Sequence, residues 1–276
     1  MIALLEQLLK LDFMRNALLV GILISVPAAF LGVPLVLRRY STIGDGLGHI
    51  GFAAITVAAA LNLAPLHVAL PVMIAASFLL IVLNNRSKIP GDAAIALAST
   101  GALTVGVLVS SMHSGLNTDL NGYLFGSLLA MPDDYVRLSI LLAVISIVIS
   151  LLTFHRIFAV TFDERFARAT GVGATLINAI LATLTAVTIT VGMKIMGTLL
   201  ISSLMIFPSL TAMRVTGSYK GTVAAAACIS VCCVIIGVLA SFGLGIPTGA
   251  AIVAANIAAF LLFSAWGLLR RDRSWH

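Results

Sequence analysis

Within the run "RRYSTIGDGLGHIGFAA", Arg38 to Ala54, an aspartate and a histidine stand four residues apart, Asp45 and His49. On a helix that spacing puts both side chains on one face, about one turn apart. They open an apolar run in which ionisable groups are costly, so their presence calls for a partner or a task. A carboxylate and an imidazole converging on one point suit a divalent transition metal such as zinc, manganese or iron. Two donors do not complete a coordination shell. A second copy of the chain, placed at a two-fold axis along this helix, would supply two more and give an Asp2His2 set. Gly44 and Gly48 form a small-xxx-small pair that lets helices approach closely, which fits that placement. The same residues also admit a plainer reading, with Asp45 as an N-cap at the membrane boundary and His49 as a polar packing residue.

A second stretch, "VTFDERFARATGVGA" from Val160 to Ala174, mixes Asp163, Glu164, Arg165 and Arg168 with Phe162, Phe166 and Ala167. It reads as a short amphipathic helix stopped by Gly171 and Gly173. A charged helix of this kind on the cytoplasmic face could dock a partner protein. A solvated loop helix without a partner is the alternative.

Other candidates have simpler explanations. Asp92 follows "IPG" and opens an apolar run, as an N-cap would. Lys194 lies between apolar segments and can snorkel to water. Cys228 and Cys232 share a helix face and read as small buried side chains, and with Cys233 they form neither a disulfide framework nor a metal-spaced CxxC pair. His67 and His113 adjoin segment ends as interfacial residues, and Pro208 is expected to kink its helix. The sequence contains no GxxxxGK[ST], no HExxH and no GxSxG, so it carries no motif for ATP hydrolysis, metalloproteolysis or serine hydrolysis.

The elements that must hold these residues are apolar helices. Of 276 residues, 61% are hydrophobic and 9% charged, and the mean hydropathy is +1.15. A soluble domain is nearer a quarter charged, so this chain cannot cover a water-facing globule. A soluble enzyme, a nucleic-acid-binding domain and a disordered chain are excluded. The net charge of +6 comes from basic clusters between apolar segments, which read as topology signals rather than as a nucleic-acid surface. A crossing helix needs roughly 20 apolar residues. Nine stretches meet or approach that length: 16–37, 46–61, 67–84, 92–112, 135–154, 176–192, 195–213, 222–242 and 248–269. Those at 46–61 and 176–192 are short, as partial crossings around a substrate path are. Nine alternating crossings put Arg38, Arg39, Arg86, Lys88, Arg156, Arg165, Arg168, Arg214, Lys220, Arg270, Arg271 and Arg273 on one face, which is expected to be cytoplasmic together with the C-terminus. That placement sets Asp45 towards the cytoplasmic end of its helix unless the preceding helix breaks at Pro27 or Pro34. Residues 1–15 read as an interfacial amphipathic helix, and no cleavable signal peptide is expected. No repeat or linker divides the chain, so 1–276 is taken as a single all-α transmembrane domain of eight to nine helices, some short or broken.

Three ordered strings, "LRRYSTIGDGLGHIGFA", "DLNGYLFGSLLAM" (Asp119 to Met131) and "MKIMGTLLISSLMIFPSLTAMR" (Met193 to Arg214), resemble the zinc/manganese family of ABC transporter permeases. The similarity runs from about Val33 to Gly249. It implies a homodimeric permease of the bacterial cytoplasmic membrane, without enzymatic activity or a permanently bound cofactor. Such a permease pairs with a separate cytoplasmic ATPase and receives zinc, manganese or iron from an extracytoplasmic solute-binding protein. Asp45 and His49 match the family's D-x-x-x-H motif, which contacts metal in the path. Asp163, Ala167 and Gly171 match its D-x-x-x-A-x-x-x-G loop, which couples to the ATPase, and the four-residue spacing within that loop is then expected to turn the Ala167 methyl towards the ATPase. The chain departs from many relatives at "LGIPTG", where they carry a polar or acidic residue before the proline.

Rival readings predict different features. A permease for a metal chelate needs a wide polar path without close carboxylate and imidazole pairs. An ion-coupled secondary transporter is expected to show internal two-fold sequence symmetry, which this chain lacks. A scaffold subunit of a membrane enzyme makes no motif-level prediction.

Overall fold

A computed structural model describes residues 12–86, 91–112, 126, 128 and 133–271. The expected loop from His113 to Asp134, most of the string Asp119 to Met131, and Glu6, Lys10, Lys88 and Arg273 lie outside the described residues or at their margin. The described residues form eleven helices and no strand. They are α1 (Asp12–Leu37), α2 (Ile43–Ala60), α3 (Pro65–Arg86), α4 (Gly91–Met112), α5 (Asp133–Leu152), α6 (Phe154–Phe162), α7 (Glu164–Ala169), α8 (Ala174–Met196), α9 (Thr198–Val215), α10 (Tyr219–Leu244) and α11 (Thr248–Arg271).

All nine expected segments are helical. Among the described residues seven helices are long and apolar enough to cross a membrane, and the count is eight when α5 with α6, bent by 67° at Thr153, is taken as one broken span. The short members differ from expectation. The expected segment 176–192 lies in α8, which has 23 residues, whereas 46–61 lies in α2, which has 18. Residues 12–15 belong to the first spanning helix rather than to a separate interfacial one. Pro27 and Pro34 both lie inside α1 without ending it.

α1, α8 and α9 are the most enclosed spans, while α4 and α11 expose most of their surface. In lipid the apolar effect gives little attraction between helices, so close backbone approach and interhelical hydrogen bonds hold the bundle. Gly32 of α1 shows why: a Cβ there would overlap the backbone of Met205 in α9. The same seam is bridged by the Ser209 hydroxyl, which donates to Ala29 O at 3.5 Å. Further along α1, Ser230 of α10 donates to Ser25 O at 3.3 Å.

The basic residues gather at one end of the bundle. Arg38 reaches Glu164 and Asn178 there, and Tyr219 stacks among Phe154, Phe158 and Phe162. The last turns of α11 lie beside Arg214. Lys194 is exposed near the opposite end of α8.

Candidate metal site

Thr42 takes the N-cap position of α2, and Asp45 follows in the first turn. The capping explanation for Asp45 therefore falls away, although a carboxylate remains favourable near the positive end of the helix dipole. His49 Nε2 stands 3.7 Å from Asp45 Oδ2, too far for a hydrogen bond. Two donors on one tetrahedral ion at roughly 2.1 Å each would stand about 3.4 Å apart, close to the separation of this pair. His49 Nδ1 is buried with no hydrogen-bond partner. The Asp45 side chain is 50% exposed and that of His49 20%. Among the described residues, no three His, Cys, Asp or Glu groups converge on one point, so one chain offers a half-complete shell.

The glycines of α2 fix where this pair points. A Cβ on Gly44 would meet the Ser202 Cα at 3.3 Å, and one on Gly48 the Thr198 Cβ at 3.2 Å. Both contacts are with α9 of the same chain. The small-xxx-small pair is thus used within the protomer and does not mark a two-fold axis, contrary to the expectation from spacing. Gly46 packs on Ile95, and Gly106 on Phe52, so α2 and α4 run parallel. Asp45 is left between these two contacts. It lines a cleft of about 330 Å³ against α4, shared with His49, Asp92 and Thr100. It also lines one of about 580 Å³ against α9 and α11, shared with Ser202, Ser203 and Gly249.

The depth of the site follows from the same contacts. At 1.5 Å per residue, Ser202 is about 18 Å along α9 from Arg214. Gly51 packs on Met193, about 28 Å from the start of α8, and Asp45 lies about 9 Å nearer that start. Both routes put Asp45 nearly 20 Å along the bundle from the basic ends of α8 and α9, in the first turn of its own helix as charge placement suggested and without any break in α1.

Asp92 was expected to cap α4. It lies instead within the first turn, where its Oδ1 accepts from the Thr42 hydroxyl at 3.3 Å, and it shares the cleft of Asp45 and His49. Sequence spacing could not have shown this. Thr42 and Asp45 at the head of one helix and an acid at the head of the next-but-one were the only signals.

At the basic end, Asp163 Oδ1 accepts from Phe166 N at 2.9 Å and caps α7. Ala167 is 0% exposed, so its methyl faces the bundle and not a docking partner. The large apolar residues turned outward here are Phe162 and Phe166, the latter 65% exposed, beside the exposed Arg165 and Arg168. Gly171 has φ of +84° with open space around its Cα, the left-handed turn that only glycine adopts freely. Burial would raise the Glu164 carboxyl, but hydrogen bonds from Arg168 and Asn178, with the charges of Arg38 and Arg168, outweigh it and hold the group below its ordinary value. His67 is exposed at the start of α3. Cys228 and Cys232 are exposed on α10 and only Cys233 is buried, so the first two do not serve as core packing within the protomer.

Residues 10–267 match the ABC 3 transport family. The chain is 30% identical over 273 residues to the "Probable metal transport system membrane protein" of Treponema pallidum (strain Nichols), covering 97% of this chain and 100% of that one. It is 30% identical over 237 residues to the "High-affinity zinc uptake system membrane protein ZnuB" of Buchnera aphidicola subsp. Acyrthosiphon pisum, covering 85% and 90%. The fold superposes with a TM-score of 0.83 and 25% identity on a chain of "PsaBC from Streptococcus pneumoniae in complex with Fab", over 95% of each. With nearly the whole length matched and the architecture shared, this polytopic all-α chain belongs to the ABC 3 transport family.

Proposed function

We propose that the chain is the membrane-spanning permease of an ATP-driven importer of divalent transition metal ions, and that the ion passes Asp45 and His49. The observation that carries this is a carboxylate and an imidazole at an ion-sized separation, deep in an apolar bundle and opening on two clefts. Zinc is taken first, with manganese and iron beside it, because relatives are named for zinc uptake, manganese import and iron transport alike and Asp and His donors serve all three. A chelate would need a wider polar path than clefts walled by Leu103, Ile206 and Phe207.

The transported ion is substrate, not cofactor. A half-complete shell suits that role, since a closed cage would hold the ion too tightly to release it. A second protomer facing the open side of α4 and α11 would complete the shell with its own pair, and the chain works as a homodimer in this reading. On release, Asp92 is the next carboxylate, about one turn nearer the basic end.

The basic end faces the cytoplasm of a bacterial inner membrane by the positive-inside rule, with the C-terminus on that side. There Asp163, Ala167 and Gly171 shape the segment that meets a separate ATPase, Asp163 by capping it, Ala167 by seating it and Gly171 by ending it. Phe162 and Phe166 supply the exposed contact, beside a groove of about 210 Å³ lined by Leu37, Phe162 and Tyr219. The opposite end receives metal from an extracytoplasmic solute-binding protein. Radiometal uptake into liposomes holding the chain and its ATPase tests the reading: Asp45→Ala and His49→Ala should abolish uptake while leaving the protein inserted, and near-normal uptake in both would refute the metal path.

A further inference from the structure

The α1–α2 turn lies between two readings made above, the metal pair that follows it in sequence and the ATPase-facing segment that touches it in space. Arg38 is the turn's first residue. Its Nη1 donates to Asn178 Oδ1 at 2.7 Å and its Nη2 to Glu164 Oε2 at 3.0 Å. Asn178 Nδ2 donates to the same Glu164 oxygen at 3.3 Å, and Arg168 Nη2 donates to Glu164 Oε1 at 2.6 Å. The Arg38 side chain is 10% exposed and that of Glu164 21%, so water screens the pair poorly and its geometry is held on both sides.

The turn beyond Arg38 is stiff. Arg39 adopts φ of +62°, an uncommon conformation for a residue with a side chain. Tyr40 N donates to Leu35 O and Ile43 N to Tyr40 O, and the Arg38 guanidinium lies 5.8 Å from the centre of the fully buried Tyr40 ring. Gly46 N then donates to Thr42 O, which enters α2 at the level of Asp45. From Glu164 to Asp45 there is one ion pair and seven residues of hydrogen-bonded chain.

We infer that the Arg38–Glu164 pair, fixed by Asn178, is the link through which movement of α6 and α7 reaches Asp45 and His49. The inference rests on both parts of the proposed function, that Asp45 and His49 meet the ion and that the exposed Phe162 and Phe166, which lie outside the pair, meet the ATPase. Arg38 and Glu164 are positioning residues in it. They touch neither ion nor nucleotide. A displacement of α7 towards or away from the bundle pulls on a guanidinium that is continuous with the helix carrying the ligands. The two-site clamp explains the choice of arginine, because a lysine ammonium cannot span Asn178 and Glu164 with a rigid fork.

The test uses the chain with its ATPase in liposomes, following zinc-65 uptake and ATP hydrolysis in the same preparation, with equilibrium zinc-65 binding to the chain in detergent. Glu164→Gln and Arg38→Gln should keep ATPase association, hydrolysis and zinc binding, while zinc transported per ATP falls about tenfold, the size of an ordinary coupling free energy. The exchange Arg38→Glu with Glu164→Arg should recover part of that ratio, and Arg38→Lys should fall between Arg38→Gln and the unaltered chain. An unchanged ratio in both Gln variants overturns the inference. So does loss of ATPase association in Glu164→Gln, since the pair would then merely hold the docking segment. If the Gln variants do not fold, the ratio in Arg38→Lys decides alone, and a normal value overturns the link. The parent readings fail separately: undiminished uptake in Asp45→Ala refutes the metal site, and retained ATPase association in Phe166→Asp refutes the docking segment.

Discussion

Ser202 of α9 lies under Gly44 of α2, so near that a side chain at position 44 would bring its Cβ to 3.3 Å from the Ser202 Cα. One turn on, Thr198 lies under Gly48 in the same way. The two contacts set the height and rotation of α2 against the bundle, and therefore the direction in which Asp45 and His49 point. A bulky residue at either glycine must push α2 off α9.

Gly48→Val should accordingly lower the melting midpoint in detergent, with a cost of about 1 to 3 kcal/mol for overpacking, and reduce metal uptake although no ligand is altered. Cross-linking between copies should be unaffected, because the glycine face meets α9 of its own chain. Loss of the cross-linked dimer with normal stability would place the glycines at the interface after all.

The ligand pair should separate binding from fold. Asp45→Asn keeps the shape of the side chain but removes its charge, and His49→Gln keeps a polar group without the imidazole. Each should lower zinc binding by at least about tenfold, since second-shell changes alone cost that much at metal sites. Melting midpoints should stay near that of the unaltered chain because the pair borders open clefts. Isothermal titration with zinc and a parallel melt would check both parts.

The Asp45–His49 pair was legible from sequence because a four-residue spacing fixes a shared helix face whatever the tertiary structure. The cost of ionisable groups in an apolar run then singles the pair out as a candidate for function. Asp92 was not legible as a neighbour. Its place in the same cleft depends on α2 and α4 running parallel with Gly46 against Ile95, a register set by packing of side chains far apart in sequence. The same holds for Arg38 and Glu164, separated by 126 residues, each of which reads in sequence as one more loop charge. Spacing also misdirected Ala167. A six-residue helix is too short for periodicity to say which side faces the bundle, and the cap at Asp163 and the left-handed turn at Gly171 were the recoverable signals. The glycine pair was correctly read as a site of close approach, but spacing does not reveal which helix approaches.

Phe166 and Ala167 should fail in different ways. Phe166→Asp changes an exposed side chain, so its effect on stability should stay within about 0.5 kcal/mol, while copurification with the ATPase should drop. Ala167→Arg forces a charge into a fully enclosed position and should cost about 3 kcal/mol or more. Its melting midpoint should fall whether or not the ATPase is present. Pull-down beside thermal melts distinguishes the two, and a normal melt for Ala167→Arg would mean that the methyl faces outward.

Glu164 predicts a pH dependence with a definite sign. Its carboxyl is held below the ordinary value of 4.5, so the folded chain favours the ionised form more than the unfolded chain does. The group then contributes its full stabilisation at pH values above the unfolded value, and loses it as pH falls through the lower folded one. Glu164→Gln should therefore melt below the unaltered chain at neutral pH, and the gap should close only in the acid range below the ordinary carboxylate value. The Arg38→Gln variant removes one of the charges that lower the carboxyl, so for it the closing should begin at a higher pH than in the unaltered chain. Melting curves of all three proteins across neutral to acid buffers would show both trends. A gap independent of pH would mean that the glutamate stabilises through packing rather than through its charge.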